Sequence, residues 1–256
     1  MKILKPKTKI MTRLILYVTT LTLLFIETVF AQDVKTVTHF HKVIISPHIQ
    51  VTLVEGIEET VNIESNKVND DKLNIEVNGN TLRIYLEDAK EVTKSETVYE
   101  NGVKMKRPIY KGTIVTAIIT YKMLNDISVR GEETLVCKSI LKGDDFDLKI
   151  YGESQVYLND VNLKQLHTTI YGESILEIKS GTIQSQKYTA YGESKVNAMA
   201  IANEETKITA YGEAEFKINA SEKIKITSYG EASLEYKGDA KINKGLNIGG
   251  VKISKM

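Results

Sequence analysis

The tripeptide Tyr-Gly-Glu recurs through the second half of this chain at a nearly fixed interval, and that interval restricts the fold more than any other feature. It stands at Tyr151-Gly152-Glu153, Tyr171-Gly172-Glu173, Tyr191-Gly192-Glu193, Tyr211-Gly212-Glu213 and Tyr229-Gly230-Glu231. Arg130-Gly131-Glu132 is a degenerate first copy, and Gly238-Asp239-Ala240 a partial last one. Successive glycines from Gly131 to Gly230 lie 21, 20, 20, 20 and 18 residues apart. Local propensity does not generate such regularity. It marks a quasi-one-dimensional stack in which each unit contacts its neighbours.

The phase of the apolar residues selects the kind of stack. Five and seven residues after each station stand Leu135 and Cys137, Val156 and Leu158, Leu176 and Ile178, Val196 and Ala198, Phe216 and Ile218, then Leu234 and Tyr236. One residue before it stand Val129, Ile150, Ile170, Ala190, Ala210 and Ser228. This period of two lines one face of a strand, whereas a helix needs 3.6. A unit of about 20 residues with these all-β patterns also leaves no room for the helix of a leucine-rich repeat beside its strand. The pattern predicts an all-β, right-handed parallel β-helix, a solenoid whose rungs of about 20 residues pair at about 4.8 Å.

The motif residues follow from that geometry. Gly131, Gly152, Gly172, Gly192, Gly212 and Gly230 are expected at structural turns, where a Cβ would obstruct a bend or close packing. Ser154, Ser174, Ser194, Ala214 and Ala232 share the inward parity, so they are small where the tube is narrow. The same parity sends the neighbouring residues outward, as two surface ladders. One contains Tyr151, Tyr171, Tyr191, Tyr211 and Tyr229, the other Glu132, Glu153, Glu173, Glu193, Glu213 and Glu231. Aromatic rings can stack along the first, while carboxylates along the second repel unless screened.

Before the repeat the texture changes. From Phe40 to about Lys122 the chain reads as short β segments, at 43–45, 49–53, 60–63, 73–77 and 82–86. Val77-Asn78-Gly79-Asn80 and Glu100-Asn101-Gly102-Val103 are hairpin signals, because Asn-Gly supplies positive φ angles. Residues 87–100 between them are polar and read as an exposed loop or edge excursion. After the repeat, Gly245, Gly249 and Gly250 suggest irregular capping chain.

Lys2, Lys5, Lys7, Lys9 and Arg13 precede a largely apolar run from Leu14 to Ala31 that ends Val29-Phe30-Ala31. This is a secretory leader with cleavage expected after Ala31, and Met11 is an alternative start. Residues 1–31 are thus expected to be a signal peptide and 32–256 one β-helical domain. Within it, 40–122 forms N-terminal coils or a cap, 123–240 the repeat rungs and 241–256 a C-terminal cap. The leader carries five basic residues and one acidic one, so the 225 remaining residues have 29 basic against 32 acidic side chains and a formal charge of −3. That sign disfavours nucleic acid as a partner. No second apolar stretch is long enough to cross a bilayer as a helix. The chain is expected to be exported to the periplasm, the outer surface or the extracellular space.

Candidate sites are weaker. Cys137 occupies an inward station and reads as a packed thiol. His39, His41 and His48 lack a defined set of metal ligands, and His167 falls outside the apolar stations and reads as solvent-facing. No metal or other cofactor is expected. The Glu ladder is the constellation closest to an active site, because solenoid enzymes acting on acidic polysaccharides cluster carboxylates on one external face. Its members are periodic instead of locally specialised, which favours a structural or adhesive surface over catalysis. Carbohydrate or cation binding without turnover is the alternative, and a polysaccharide lyase or hydrolase ranks lower.

The leader, the β region beginning at Phe40-His41-Lys42-Val43 and the serial Gly-small motif followed by alternating apolar positions resemble the auto-transporter adhesin head GIN domain family, exported proteins found mainly in Bacteroidetes-type bacteria. The resemblance covers about residues 40–250. The family motif is usually Ser-Gly-Ala-Ser, which here reads Tyr-Gly-Glu-Ser at 151–154, 171–174 and 191–194. The glycine and serine match; the tyrosine and glutamate depart. The resemblance implies a parallel β-helix with a surface or envelope role and no catalytic residue. The expected partner is a glycan, a matrix component or an envelope protein.

Overall fold

Strict alternation of apolar with polar residues leaves one face of each segment to be buried, and a chain with this pattern satisfies its backbone only by stacking segments side by side. A computed structural model describes residues 33–256. The leader, with its cleavage point, lies outside the described residues. Apart from a single 3-10 turn at Asp70–Lys72, the regular elements of the described residues are strands.

In the repeat the chain climbs one rung per unit. Thr134–Gly152 runs parallel to Gln155–Gly172, with Tyr151 opposite Tyr171 and Gly152 opposite Gly172. Gly181–Tyr191, Ala202–Tyr211 and Lys223–Lys237 continue the wall that ends at each Tyr station. Past the station the chain turns a corner into a second wall, built from Ile175–Ile178, Ser194–Ala198 and Ala214–Asn219. This is a parallel β-helix with rungs of about 20 residues, and its course is consistent with the right-handed winding that parallel crossovers favour.

Inward rows from successive rungs make the core. Ile150, Ile170, Ala190, Ala210 and Ser228 line the first wall, and Val156, Leu176, Val196, Phe216 and Leu234 the second, all buried. Where the first row shrinks to alanine, the fully buried Tyr188 fills the space, its ring 6.1 Å from that of Phe216. Its hydroxyl donates to Gln186 Oε1 at 2.7 Å, and Gln186 Nε2 donates to Thr206 Oγ1 at 3.0 Å, so this buried polar insertion is internally satisfied.

The N-terminal region joins the same stack out of sequence order. Lys42–Ile45 lies between Asp126–Gly131 and Thr81–Leu86, parallel to both. Ile49–Glu55 lies likewise between Val115–Tyr121 and residues 135–137. The earliest coil is therefore inserted between two later ones. Beyond them, antiparallel strands end the parallel register: Leu73–Asn78 folds back on Thr81–Leu86, and Thr60–Asn66 runs against Val115–Tyr121 and receives Asp33–Thr36.

Two local expectations need correction, and a third is made specific. Only Gly79 takes a positive φ (58°) in the first hairpin, so its two-residue loop is Gly79-Asn80 and not an Asn-Gly pair with two positive angles. In the second, Asn101 (52°) and Gly102 (79°) both do, and they join Ser95–Glu100 to Val103–Pro108 in an exposed ribbon; of the span read as an exposed loop or edge excursion, residues 95–100 are strand. The irregular cap expected over 241–256 is also strand: Lys241–Lys255 pairs in parallel with Lys223–Lys237. Gly249 lies in register with Gly230, with φ 106°, and a Cβ there would sit 2.3 Å from the Gly230 carbonyl oxygen. That glycine marks close approach within another rung.

Candidate interaction face

Each station begins at its corner. Gly172 has φ 108°, and a Cβ on it would lie 2.3 Å from the carbonyl oxygen of Gly152. The other station glycines, Gly131, Gly152, Gly192, Gly212 and Gly230, also take positive φ. The corner carbonyl of the rung below is bonded twice: Gly152 O accepts from Glu173 N at 2.9 Å and from Ser174 Oγ at 3.0 Å. Ser154 repeats the bond to Gly131 O at 3.0 Å and Ser194 to Gly172 O at 3.3 Å. The three serines are buried, and their hydroxyls fasten the corners, a role their small size alone did not reveal. Ala214 and Ala232 fill the same place without that bond.

This corner holds the tyrosines in a column. Ring centroids are 5.2 Å apart for Tyr151 and Tyr171, 4.7 Å for Tyr171 and Tyr191, 4.7 Å for Tyr191 and Tyr211, and 4.9 Å for Tyr211 and Tyr229, with planes within 5° of parallel. Arg130, in the same register, places its guanidinium 4.5 Å from the Tyr151 ring centre and closes the stack. Glu91 holds that guanidinium at 2.8 Å and grips Arg83 at 2.8 Å. The substitution of Arg for Tyr in the degenerate first copy was the visible signal for this cap, which sequence reasoning passed over. Because the rings cover one another, the column offers its edges and hydroxyls to solvent.

Beside the column, across the corner, Glu132, Glu153, Glu173, Glu193, Glu213 and Glu231 are exposed, and none forms an ion pair among the described residues. On the other side lie two outward columns that the sequence reading missed, although their spacing of two and four residues before each Tyr carried the signal. One holds Thr169, Thr189, Thr209 and Thr227, the other Lys187, Lys207 and Lys225, each in register.

The remaining candidates disperse. His39 Nδ1 lies 2.7 Å from Glu59 Oε1, His41 Nδ1 2.9 Å from Asn125 Oδ1, and the ring of His48 bonds Gly112 O and Thr93 Oγ1. His167 is exposed beside Asp147. Among the described residues, no three His, Cys, Asp or Glu are placed to hold a metal ion. Cys137 is fully buried, and burial pushes its thiol pKa up to about 11. Sequence reasoning also missed Glu133. It occupies the inward place of Ser154, is buried, and accepts the backbone N–H groups of His48 (2.9 Å) and Glu132 (3.1 Å), tying the N-terminal region to the first station.

Comparison with known proteins agrees with this architecture. A family model described as "Putative auto-transporter adhesin, head GIN domain" matches residues 39–240, and the chain belongs to that family. A crystal structure described as a putative adhesin from Bacteroides fragilis is 19% identical, with TM-score 0.72, over 88% of this chain and 96% of that one. One described as a putative adhesin from Parabacteroides merdae is 15% identical, with TM-score 0.60, over 88% and 95%. A third, described as a putative lipid binding protein from Parabacteroides distasonis, is 14% identical, with TM-score 0.58, over 88% and 98%. At these identities the likeness is one of fold. No curated protein matches the chain. No helix of the described residues is long and apolar enough to cross a membrane.

Proposed function

We propose that this member of the GIN domain family is a non-enzymatic interaction module of the cell envelope or exterior, holding an extended ligand along the flat wall of its solenoid. The observation that carries the reading is repetition: five tyrosines stack in one straight column with periodic glutamates beside it. Glycoside cleavage needs two carboxylates in unlike surroundings, one kept protonated and one ionised. A ladder that repeats one setting from rung to rung does not separate those roles. It does present the same groups many times, and many weak contacts on one rigid frame add up to avidity. An exported, surface-directed location is consistent with the family, and the adhesin descriptions of two relatives support the same direction.

Cell fractionation followed by a glycan and matrix-protein binding screen of the purified protein tests the proposal. Saturable binding, weakened in modest graded steps by single substitutions in the tyrosine column, supports it. Release of unsaturated sugar ends absorbing in the ultraviolet, abolished by changing one or two glutamates, would show a lyase instead.

A further inference from the structure

The outward column four residues before the Tyr station changes character along the solenoid. Its successive members, in register, are Lys42, Asp126, Asp147, His167, Lys187, Lys207 and Lys225. In the first rungs acidic side chains with basic neighbours occupy the column. Asp126 Oδ2 lies 2.9 Å from Lys42 Nζ and 3.6 Å from Lys149 Nζ, and Asp147 pairs with His167 at 3.7 Å. In the next three rungs the column is lysine throughout, and among the described residues none of the three forms an ion pair. Like charges directly opposite each other on a sheet are destabilising. The adjoining column runs Asp145, Gln165, Ser185, Glu205 and Lys223, so one carboxylate, Glu205, stands beside the three lysine rungs.

The surroundings of these lysines are equally regular. About 6.6 Å along the strands lies the column Thr169, Thr189, Thr209 and Thr227, half-buried. The same distance farther are the tyrosine edges. Ammonium, aliphatic hydroxyl and phenol thus recur side by side at the rung repeat of about 4.8 Å.

We infer that the wall carrying Lys187, Lys207 and Lys225 with its Thr and Tyr columns binds a linear anionic glycan laid along the solenoid axis, its carboxylate or sulfate groups on the lysines and its hydroxyls on the Thr and Tyr oxygens. The inference rests on the interaction-module reading and names the ligand class for that face. An anion bound along the lysine column relieves the repulsion that the fold builds into it. The acidic rungs at Asp126 and Asp147 end the site towards the N-terminal region. The Glu column on the far side of the tyrosines repels a polyanion that slides across the corner and so fixes which side the chain lies on.

The test uses the purified protein with heparin as the sulfated probe, polygalacturonate as the carboxylate probe, neutral dextran, and a single-stranded oligothymidylate. Binding is measured at low and high salt. The expected result is binding to one or both anionic glycans, weakened by salt, and lowered roughly tenfold or more by the triple change Lys187→Gln, Lys207→Gln, Lys225→Gln, at about one exposed ion pair lost per lysine. A triple of equal charge on other surfaces, Lys138→Gln, Lys195→Gln, Lys252→Gln, should leave binding within about twofold. All substituted residues are surface lysines, and unchanged thermal melts establish that the variants fold. Equal loss in both triples, or oligothymidylate binding as well as the glycans, would overturn the assignment. If the glycan and matrix screen finds a neutral ligand while both anionic glycans fail, this inference falls and the interaction-module reading stands; if no ligand of any class binds, both fall.

Discussion

The N-terminal region and the repeat belong to one solenoid but reach it by opposite routes. In the repeat each strand pairs with the strand one unit later, 18 to 21 residues on, so its partner is announced by the motif itself. In the N-terminal region Lys42 meets Asp126, 84 residues away, and the first coil waits for two later coils to close around it. Such non-local pairing bears the greater loop-closure entropy before any contact compensates it. Periodic sequence and sequential contact go together; where the period is absent, the order of the stack is free to depart from the order of the chain.

The largest expected effect tests whether alternation governs the repeat. Leu176→Asp puts an unpaired carboxylate at a fully buried station and should cost about 4 kcal/mol, whereas Glu177→Lys next to it should change stability by less than about 0.5 kcal/mol. Denaturant midpoints check this, and equal losses would defeat the register.

The glycines sharpen the contrast between regions. Gly172→Ala meets both a left-handed φ and the Gly152 carbonyl, and should cost about 3 kcal/mol. Gly79→Ala has a positive φ but open space around it, so about 1 kcal/mol is expected in the same assay.

At the joint, Glu133→Ala removes the acceptor of two part-buried N–H groups and should cost about 1–2 kcal/mol. Ser174→Ala only reproduces the chemistry of the Ala214 rung, leaving Gly152 O bonded to Glu173 N, and should cost about 1 kcal/mol or less. Native-state hydrogen exchange separates them further: the Glu133 change should raise exchange in strand 49–55, the serine change only near its own corner.

A smaller effect depends on pH. The Cys137 thiol has its pKa raised by burial to about 11, above its ordinary value of 9.0. Below pH 9 the thiol is neutral in both folded and unfolded chains and adds no pH dependence. Between 9 and 11 the unfolded chain ionises first, so stability falls as pH rises, by about 2 kcal/mol at pH 11. Wild type should lose that much more than Cys137→Ala across this window, measured as the difference between their denaturant midpoints.

What could be read in advance follows from the same physics. Five near-identical intervals and a period of two were enough to derive the parallel rungs, the inward rows and the outward ladders. The insertion of Lys42–Ile45 between Asp126–Gly131 and Thr81–Leu86 was not legible, because β pairing partners with no repeat between them leave no mark in spacing. Lys241–Lys255 was misread for a related reason: a glycine in strand can signal either an irregular cap or close approach, and only the opposing Gly230 distinguishes them. On the candidate face the Tyr and Glu columns stood out as a motif. The Thr and Lys columns did not, since Lys149 and His167 interrupt them in the early rungs.

The central claim is that equivalent stations stack directly, one rung above the next, with their side chains outward. Replacing Tyr171 and Tyr191 together by cysteine tests it most directly, because in-register neighbours about 4.8 Å apart fall within disulfide reach whereas stations two rungs apart do not. Under mild oxidation Tyr171→Cys/Tyr191→Cys should lose its two exposed thiols to an internal crosslink, and Tyr171→Cys/Tyr211→Cys should keep both. Crosslinking of the second pair, or failure of the first in a protein that melts cooperatively, would contradict the stacked register on which the candidate face depends.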